Sequence, residues 1–158
     1  MKNKLILTFL LATGIIGGSL ACEHCTNLVQ MKDVVPAKVN YFSLKDVRLL
    51  DSPFKHAMEL NSEWMMELDM DRLLSNFRKN ADLEPKAESY GSWEAMGIAG
   101  HTLGHYLTAL SQQYASTGDE ECKRRVDYIV SELDSCQINF VNGFIGGMPG
   151  GDKVFKEV

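Results

Sequence analysis

The chain has 158 residues, of which 45% are hydrophobic, so it is long enough to bury the core of a domain. Its 21 acidic and 16 basic side chains give a formal net charge of −5, which argues against nucleic-acid binding, because that function needs clustered lysine and arginine. The dense basic group at residues 123–125 follows the acidic residues 119–121. Such a pattern is typical of a solvated helix surface whose charges compensate the helix dipole.

Residues 1–21 have the form of a signal peptide, with two lysines, an apolar core at Leu5–Ile16 and small residues before Cys22. The apolar core is too short, and too interrupted by glycine, for a membrane-spanning helix. Two cleavage sites compete: Ser19–Ala21 fits a signal-peptidase site, and Ala21-Cys22 resembles a bacterial lipoprotein box. We slightly favour the second, with lipidation of Cys22. We therefore expect export to the periplasm or the bacterial cell surface. Residues 22–41 would form a tether, with membrane contact only through the lipid.

The next segments predict a short strand, a helix and a long loop. Residues 42–50 alternate loosely between apolar and polar side chains, which favours a short strand. Asp51-Ser52-Pro53 is typical of a helix start, and apolar or neutral positions then recur at helical spacing, with Trp64 expected in the core. Residues 69–92 have no sustained period, so they are predicted to form a long loop of the kind that often carries function.

Residues 93–114 predict one helix with two chemically opposite faces. One face is apolar from Met96 onward, and the other carries two histidines with a carboxylate, a hydroxyl and an amide, namely Glu94, His101, His105, Thr108 and Gln112. Between the faces lies a stripe of small residues, formed by Gly97, Gly100 and Gly104. Each interior glycine costs roughly 0.5–1 kcal/mol relative to alanine, so the stripe suggests a close neighbour or a ligand beside the backbone. Ser92 can cap this helix.

His101 and His105 are spaced i, i+4, so their rings lie on one side of a helix. The pair admits three interpretations, which are a hydrogen-bonded structural role, binding of a polar ligand, or metal binding with a third ligand from elsewhere. The HExxH pattern of zinc proteases is absent, because threonine follows His101. Glu94 on the same face favours a ligand. Trp93 and Tyr90 beside it suit a sugar ring, whose apolar face stacks on aromatic side chains.

A helical hairpin is predicted next, because only Ser116–Gly118 separate the preceding helix from one that Asp119 caps. The second helix carries an apolar stripe, formed by Cys122, Val126, Ile129, Leu133 and Cys136. Its two cysteines lie too far apart along one helix to bridge each other, and they are expected to be small core residues. The mature chain is thus predicted to be all-α, apart from the β-leaning segment at residues 42–50.

The two ends of the mature chain carry a cysteine pair and a glycine-rich loop. Residues Cys22–Cys25 have the CxxC form of zinc or redox sites, but no second ligand pair follows at finger-like spacing, so no metal is expected there. Residues 143–151 are glycine-rich and include Gly146, Gly147, Gly150 and Gly151. Residues 152–158 look like the start of a helix. The sequence ends within the first turns of this helix, which leaves its apolar side chains without a packing partner, so we expect a truncated protein.

Six short motifs follow one another along residues 42–158. They are DSPF at 51–54, LLSNFRKNA at 73–81, PKAE at 85–88, YGSWE at 90–94, AGHTLGHYL at 99–107 and GFIGGMPGG at 143–151. In this order they resemble the amino-terminal part of the β-L-arabinofuranosidase family, which comprises glycoside hydrolase families 127 and 146 and was once catalogued as a domain of unknown function. The resemblance covers nearly all of the mature chain.

The resemblance implies an (α/α)6 barrel followed by β-sandwich domains, with residues 42–158 supplying only the first helices of a truncated barrel. It implies retaining hydrolysis of terminal L-arabinofuranosides in plant-type glycans, with a zinc-held cysteine thiolate as nucleophile and a glutamate as acid/base. That zinc and cysteine cluster lies further along the family's chain. We therefore expect no catalytic residue and no bound zinc in this one, which would be inactive alone.

By position in the family, the substrate, an arabinose-containing glycan, would be bound by Tyr90, Trp93, Glu94, His101 and His105. The glycine-rich loop, with Gly146, Gly147, Gly150 and Gly151, would border the mouth of the barrel. An alternative from another class is a small helical surface lipoprotein that binds a glycan or a partner without catalysis. A further alternative is a metal-binding hairpin that uses His101 and His105.

Overall fold

The computed structural model describes Val35, residues 38–140 and residues 142–156. The predicted signal peptide, the lipidation of Cys22 and the CxxC pair lie outside the described residues. The chain divides into two units, Met1–Asn40 and Tyr41–Val158, and the helices described below belong to the second. Within the described part of the chain, no helix has both the length and the apolar character needed to cross a membrane.

Five α-helices make up most of the second unit. They are α1 (Pro53–Glu67), α2 (Met70–Asn80), α3 (His101–Thr117), α4 (Glu120–Asn139) and α5 (Gly151–Val154). Two short 3₁₀ helices, Leu44–Asp46 and Ser92–Ala95, precede α1 and α3. No strand occurs among the described residues, so the all-α prediction is confirmed. The helices are consistent with part of the (α/α)6 barrel that the family resemblance implies.

Side-chain caps explain where α1 and α2 begin. The Ser52 hydroxyl accepts a hydrogen bond from the Lys55 N–H at 3.4 Å, and Pro53 fills the first helical position, which confirms the predicted start of α1. The Asp69 carboxylate accepts hydrogen bonds from the N–H groups of Asp71 and Arg72 and so caps the start of α2. The prediction of a long loop over residues 69–92 is therefore wrong for its first half. The signals that the loop prediction missed are the cap at Asp69 and the apolar side chains of Leu73, Leu74 and Phe77, which recur at helical spacing and pack in or against the core.

The strand predicted at residues 42–50 does not form. Leu44–Asp46 make a 3₁₀ turn, which the Ser43 hydroxyl caps, and the whole segment is exposed. A strand needs a neighbouring strand to satisfy its backbone N–H and C=O groups. None is present in the part of the chain that the structure describes, so the loose alternation of side chains alone was misleading.

The helix predicted over residues 93–114 is broken into two pieces. Gly97 and Gly100 have φ angles of 84° and 98°, in the left-handed region that glycine enters without steric cost. The chain therefore makes the 3₁₀ turn at Ser92–Ala95, reverses direction, and begins α3 at His101. The glycines that were expected to lie along one helix are instead what divides it.

This break corrects three details of the predicted helix. Ser92 has a φ angle of 58° and does not cap α3, whose N-cap position is taken by Gly100. Of the predicted glycine stripe, only Gly104 lies within a helix. Met96, predicted for the apolar face, lies in the reversal and is 71% exposed.

The core lies where α2, α3 and α4 meet, with α1 packed against α3. It is formed by side chains that are almost fully buried, namely Met65, Leu73, Leu74, Leu103, Tyr106, Leu110, Cys122 and Ile129.

The hairpin of α3 and α4 forms as predicted, because Gly118 ends α3 with a φ of 78° and Asp119 caps α4. Cys122 and Cys136 are free and buried, which confirms their predicted core position. Burial raises the pKa of the Cys122 thiol to about 11.

Arg125 turns inward at the joint between three helices. Its guanidinium donates hydrogen bonds to the carbonyl oxygens of Met66 at 2.9 Å and Leu68 at 3.0 Å, at the end of α1. It also donates to the Tyr106 hydroxyl of α3 at 2.7 Å. A positive charge at this point complements the negative end of the α1 dipole. The predicted solvated basic surface at residues 123–125 is therefore wrong at its last position.

A second charged network joins α2, the loop after it and α4. The Glu132 carboxylate receives hydrogen bonds from Arg78 at 2.6 Å and from Lys86 at 2.8 Å, and its side chain is 13% exposed. Burial raises the pKa of this carboxyl group, but the two cations outweigh burial and the pKa lies below its usual value. Removal of one partner from such a network leaves an unpaired buried charge, which is strongly destabilising.

Replacement of Arg125 by leucine should lower the free energy of unfolding by about 3 kcal/mol, because it leaves two helix-end carbonyls and a buried hydroxyl without their donor. Arg124→Leu is the matched control. Arg124 is exposed and pairs with Glu121 on the surface, so its loss should cost less than about 1 kcal/mol. Urea unfolding followed by circular dichroism measures both variants, and equal losses would contradict the role assigned to Arg125.

Glu132→Gln should make the fold less sensitive to acid. A carboxylate with a lowered pKa stabilises the fold above its unfolded pKa of about 4.3, and this contribution is lost as the pH falls through the folded pKa. We expect the variant to be about 2 kcal/mol less stable than the parent at neutral pH, and the gap to shrink at about pH 3. Unfolding curves at the two pH values test this, and a constant gap would exclude a role for the charge.

Candidate functional site

Glu94 connects the turn that carries Trp93 to the start of α3. Its carboxylate accepts hydrogen bonds from the Gly100 N–H at 2.8 Å and the Thr102 N–H at 3.2 Å, and the residue is only 5% exposed. A helix start leaves such N–H groups without intrahelical partners, and the helix dipole favours a negative charge there. Asn76 of α2 holds the same turn by donating to the Glu94 carbonyl oxygen at 2.9 Å.

His101 and His105 come together at the amino-terminal end of α3. Their Nε2 atoms lie 3.1 Å apart, their ring centroids lie 4.4 Å apart, and both residues are exposed. In the neutral pair, one imidazole donates from Nε2 and the other accepts at Nε2, so the two rings hold opposite tautomers. The predicted histidine pair is therefore present, and its two Nδ1 atoms supply one further acceptor and one further donor.

The two predicted aromatic residues take different positions. Trp93 is 56% exposed, and its ring centroid lies 5.9 Å from that of His101. Tyr90 is half-buried, its hydroxyl accepts a hydrogen bond from the Asp69 N–H at 2.9 Å, and its ring lies 3.9 Å from the Arg72 guanidinium. Trp93 is therefore available to stack on a ligand, whereas Tyr90 fastens the start of α2.

The glycine-rich loop docks on the reversal that precedes α3. A Cβ atom on Gly147 would lie 2.8–2.9 Å from backbone atoms of residues 99–100, so the two backbones touch and a larger residue does not fit. Asn80, at the end of α2, holds the loop by donating to the carbonyl oxygens of Gly146 at 2.7 Å and Met148 at 2.8 Å. The loop is thus fixed against the residues just before His101.

The other two predicted glycines lie away from the histidines. Gly150 has a φ of 68° and precedes α5, which begins at Gly151. Gly151 is buried, and a Cβ atom there would lie 3.1 Å from the Phe144 ring. Of the four predicted loop glycines, the structure therefore brings Gly146 and Gly147, but not this pair, to the cavity beside His101.

Two cavities border the histidine pair, and another borders the turn that carries Trp93. One of about 380 Å³ lies between His101 and the glycine-rich loop, one of about 300 Å³ is bordered by Trp93 and Trp64, and one of about 150 Å³ by His105 and Trp64. Trp64 is 56% exposed beside these cavities, so the prediction that it belongs to the core is wrong. A larger cavity, of about 680 Å³, lies between residues 44–49, α1 and the far end of α3, and no predicted site residue lines it.

The zinc that the family resemblance implies does not fit the described part of the chain. No three His, Cys, Asp or Glu side chains come together there, and the histidine pair has one nitrogen ligand fewer than a three-residue catalytic zinc site needs. Burial raises the pKa of both Cys122 and Cys136, whereas zinc binds the thiolate form. The family's zinc therefore remains a prediction for sequence outside the described residues.

The fold and the site geometry define an all-α protein with an exposed group of imidazole and indole side chains at the start of α3. Residues 46–157 match the family model for the β-L-arabinofuranosidase, GH127 catalytic domain. The match covers more than half of the chain, so the chain belongs to this family, and the resemblance seen in its motifs is confirmed. A comparison with curated proteins gave no match. The family is one of glycoside hydrolases, whose substrates are carbohydrates.

Gly147→Ala should push the glycine-rich loop away from α3, because its Cβ would collide with backbone rather than with a flexible side chain. We expect a loss of about 2 kcal/mol in the free energy of unfolding. Gly104→Ala is the matched control, since a Cβ there meets nothing within 4 Å. In the interior of α3 it should add roughly 0.5–1 kcal/mol. Thermal unfolding should give opposite signs, and a neutral Gly147→Ala would contradict the backbone contact.

Proposed function

We propose that this chain forms the sugar-binding part of an exported glycoside hydrolase that releases terminal L-arabinofuranose from plant-type glycans. The observation that carries the proposal is the juxtaposition of His101, His105 and exposed Trp93 in a chain of the β-L-arabinofuranosidase family. A furanose has an apolar ring face, which an indole can cover, and hydroxyl groups, which imidazoles can bind as donors and acceptors.

The space around the histidine pair supports this assignment. The cavities beside His101 and beside Trp93, about 380 Å³ and 300 Å³, lie at the lower end of the range for ligand pockets, about 300–1,000 Å³. His105 and Trp64 border the third cavity, of about 150 Å³, and Trp64 adds a second exposed indole to the surface. A sugar held by the imidazoles would therefore have two indoles nearby, and these indoles border one cavity together.

Catalysis in this proposal depends on groups outside the described residues. A retaining glycosidase needs a nucleophile and an acid/base group on the two sides of the reacting carbon. The family resemblance implies a zinc-held cysteine and a glutamate for these roles in the longer enzyme. Cys122 and Cys136 do not suit the first role, because both are buried in the core with raised pKa values. We therefore propose that the chain as given binds the sugar and does not hydrolyse its glycosides.

The remaining predictions about the site and the location belong to the proposal. Glu94 and Tyr90 direct their side-chain oxygens to backbone N–H groups, and direct contact of either with the sugar stays a prediction. Export, with lipidation at Cys22, also stays a prediction. It suits the proposed function, because plant glycans are polymers that a bacterium meets outside its cytoplasm.

His101→Ala and His105→Ala should each weaken binding of methyl β-L-arabinofuranoside about tenfold, because each removes a hydrogen-bonding group that the sugar hydroxyls use. An NMR titration of the purified protein measures the affinity. His56→Ala is the matched control, since His56 is an exposed histidine on α1 that lines none of the three cavities. This variant should bind the arabinofuranoside as tightly as the parent protein does.

Four results would each contradict part of the proposed function. The binding site is wrong if the parent protein does not bind the arabinofuranoside, or if both site variants bind it as tightly as the parent. Release of free arabinose by the purified chain would overturn the proposed inactivity while leaving the binding site in place. Methyl β-D-glucopyranoside serves as the reference sugar, and equal binding of the two glycosides would contradict the assignment of arabinofuranose as the preferred unit.

A further inference from the structure

Glu94 differs from the other predicted sugar ligands because its carboxylate is buried against backbone. Oε2 accepts the hydrogen bond from the Gly100 N–H, and Oε1 accepts the one from the Thr102 N–H. Both carboxylate oxygens are thus engaged with backbone, and at 5% exposure the residue offers little of its surface to a sugar on the exposed histidines. A buried carboxylate needs donors to replace its lost water, and the N–H groups at a helix start supply them.

The bonds of Glu94 fix the position of Trp93 relative to His101. Trp93 directly precedes Glu94 in the 3₁₀ turn, and His101 lies between the two residues that donate to its carboxylate. The intervening residues 96–99 include Gly97 in the left-handed region and lie outside the helices. Without the hydrogen bonds of the Glu94 carboxylate, this short irregular segment alone would set the position of the indole relative to the imidazoles.

The other bond to this turn does not replace the carboxylate. Asn76 donates to the Glu94 carbonyl oxygen and so attaches the turn to α2, but it makes no hydrogen bond to the start of α3. The glycine-rich loop touches residues 99–100 through Gly147 and not through the Trp93 turn. Glu94 is thus the side chain that bridges the turn and the first residues of α3.

We propose that Glu94 is a positioning residue, which leaves the sugar untouched and sets the arrangement of Trp93, His101 and His105 by clamping the start of α3 to the Trp93 turn. The effect of this positioning on sugar binding rests on the proposed function, whereas the positioning itself is a property of the ligand-free protein. This role is the alternative to the direct sugar contact that the sequence predicted for Glu94.

Amide hydrogen exchange on the unmodified protein tests the clamp directly. The first N–H groups of a helix normally exchange fast, because they lack intrahelical acceptors. We expect the Gly100 and Thr102 amides to exchange at least about tenfold more slowly than the His101 amide between them, which donates no hydrogen bond to Glu94. Equal exchange at the three positions would overturn the proposal, and this measurement needs no variant.

Glu94→Gln tests the consequence for the histidines. The amide side chain keeps one acceptor but presents an NH2 group to the second N–H, so the clamp is lost while the side-chain volume is kept. In long-range ¹H–¹⁵N spectra of the ligand-free protein, we expect the opposite tautomers of His101 and His105 to give way to the averaged signals of an unconstrained imidazole. Exposed His56 provides the internal reference for such signals.

Asp119→Ala is the matched control for a general loss of stability. Asp119 caps α4 with the same chemistry, a carboxylate oxygen that accepts from the Glu121 N–H at 2.9 Å, at the opposite end of α3 from the histidines. This variant should melt at a lower temperature and keep the ring signals of the parent. Glu94→Gln should also bind methyl β-L-arabinofuranoside about fivefold more weakly, with the affinity of Asp119→Ala unchanged.

The outcomes separate this proposal from the proposed function. Unchanged ring signals in folded Glu94→Gln, or equal changes in Asp119→Ala, would overturn the positioning role. Altered ring signals in Glu94→Gln alone support that role even where the parent protein binds no arabinofuranoside, and the proposed function would then be the part that fails. If Glu94→Gln does not fold, the exchange rates of Gly100 and Thr102 in the unmodified protein decide the proposal.

Discussion

The hydrogen bonds of the Arg125 guanidinium hold α1, α3 and α4 together. The end of α1 points into the hairpin of α3 and α4, and its last carbonyl groups need donors because they have no intrahelical partners. Arg125 supplies two of these bonds, and the Tyr106 hydroxyl, which Arg125 also contacts, donates a third to Met65 at 2.9 Å. With α1 fixed in this way, Trp64 lies beside His105. A contact in the core thus determines one wall of the site.

The candidate site arises from an interruption of a helix. Continuous helix from Trp93 to His101 would separate them by about 12 Å along the axis, at 1.5 Å per residue, whereas their ring centroids are 5.9 Å apart. The left-handed backbone at Gly97 and Gly100 permits the reversal that brings the two rings together. Gly147 packs against the backbone of the same segment, at residues 99–100. Glycine therefore serves backbone geometry here, and the groups that we propose to bind the sugar are supplied by its neighbours.

Local signals in the sequence were sufficient for the helix starts at Ser52 and Asp119, for the hairpin turn at Gly118 and for the histidine pair. They were insufficient wherever a distant contact decides the conformation. Glycines spaced three and four apart fit both a stripe along a helix and a break in it, and only the carboxylate of Glu94 and the contact with Gly147 distinguish the two. The cap formed by Glu94 is also hidden from sequence, because it reaches six and eight residues ahead, beyond the three-residue spacing of a capping box.

The hydrogen bonds around the site close loops of very different length. Glu94 reaches six and eight residues along the chain, whereas Asn80 reaches Gly146 and Met148 across 66 and 68 residues. Short loops close early in folding, and contacts between distant residues form only after the intervening helices have packed. The Trp93 and His101 half of the site can therefore exist before the glycine-rich wall is added. In the folded protein, a local opening that releases this wall would make the pocket shallower while the histidine pair stays assembled.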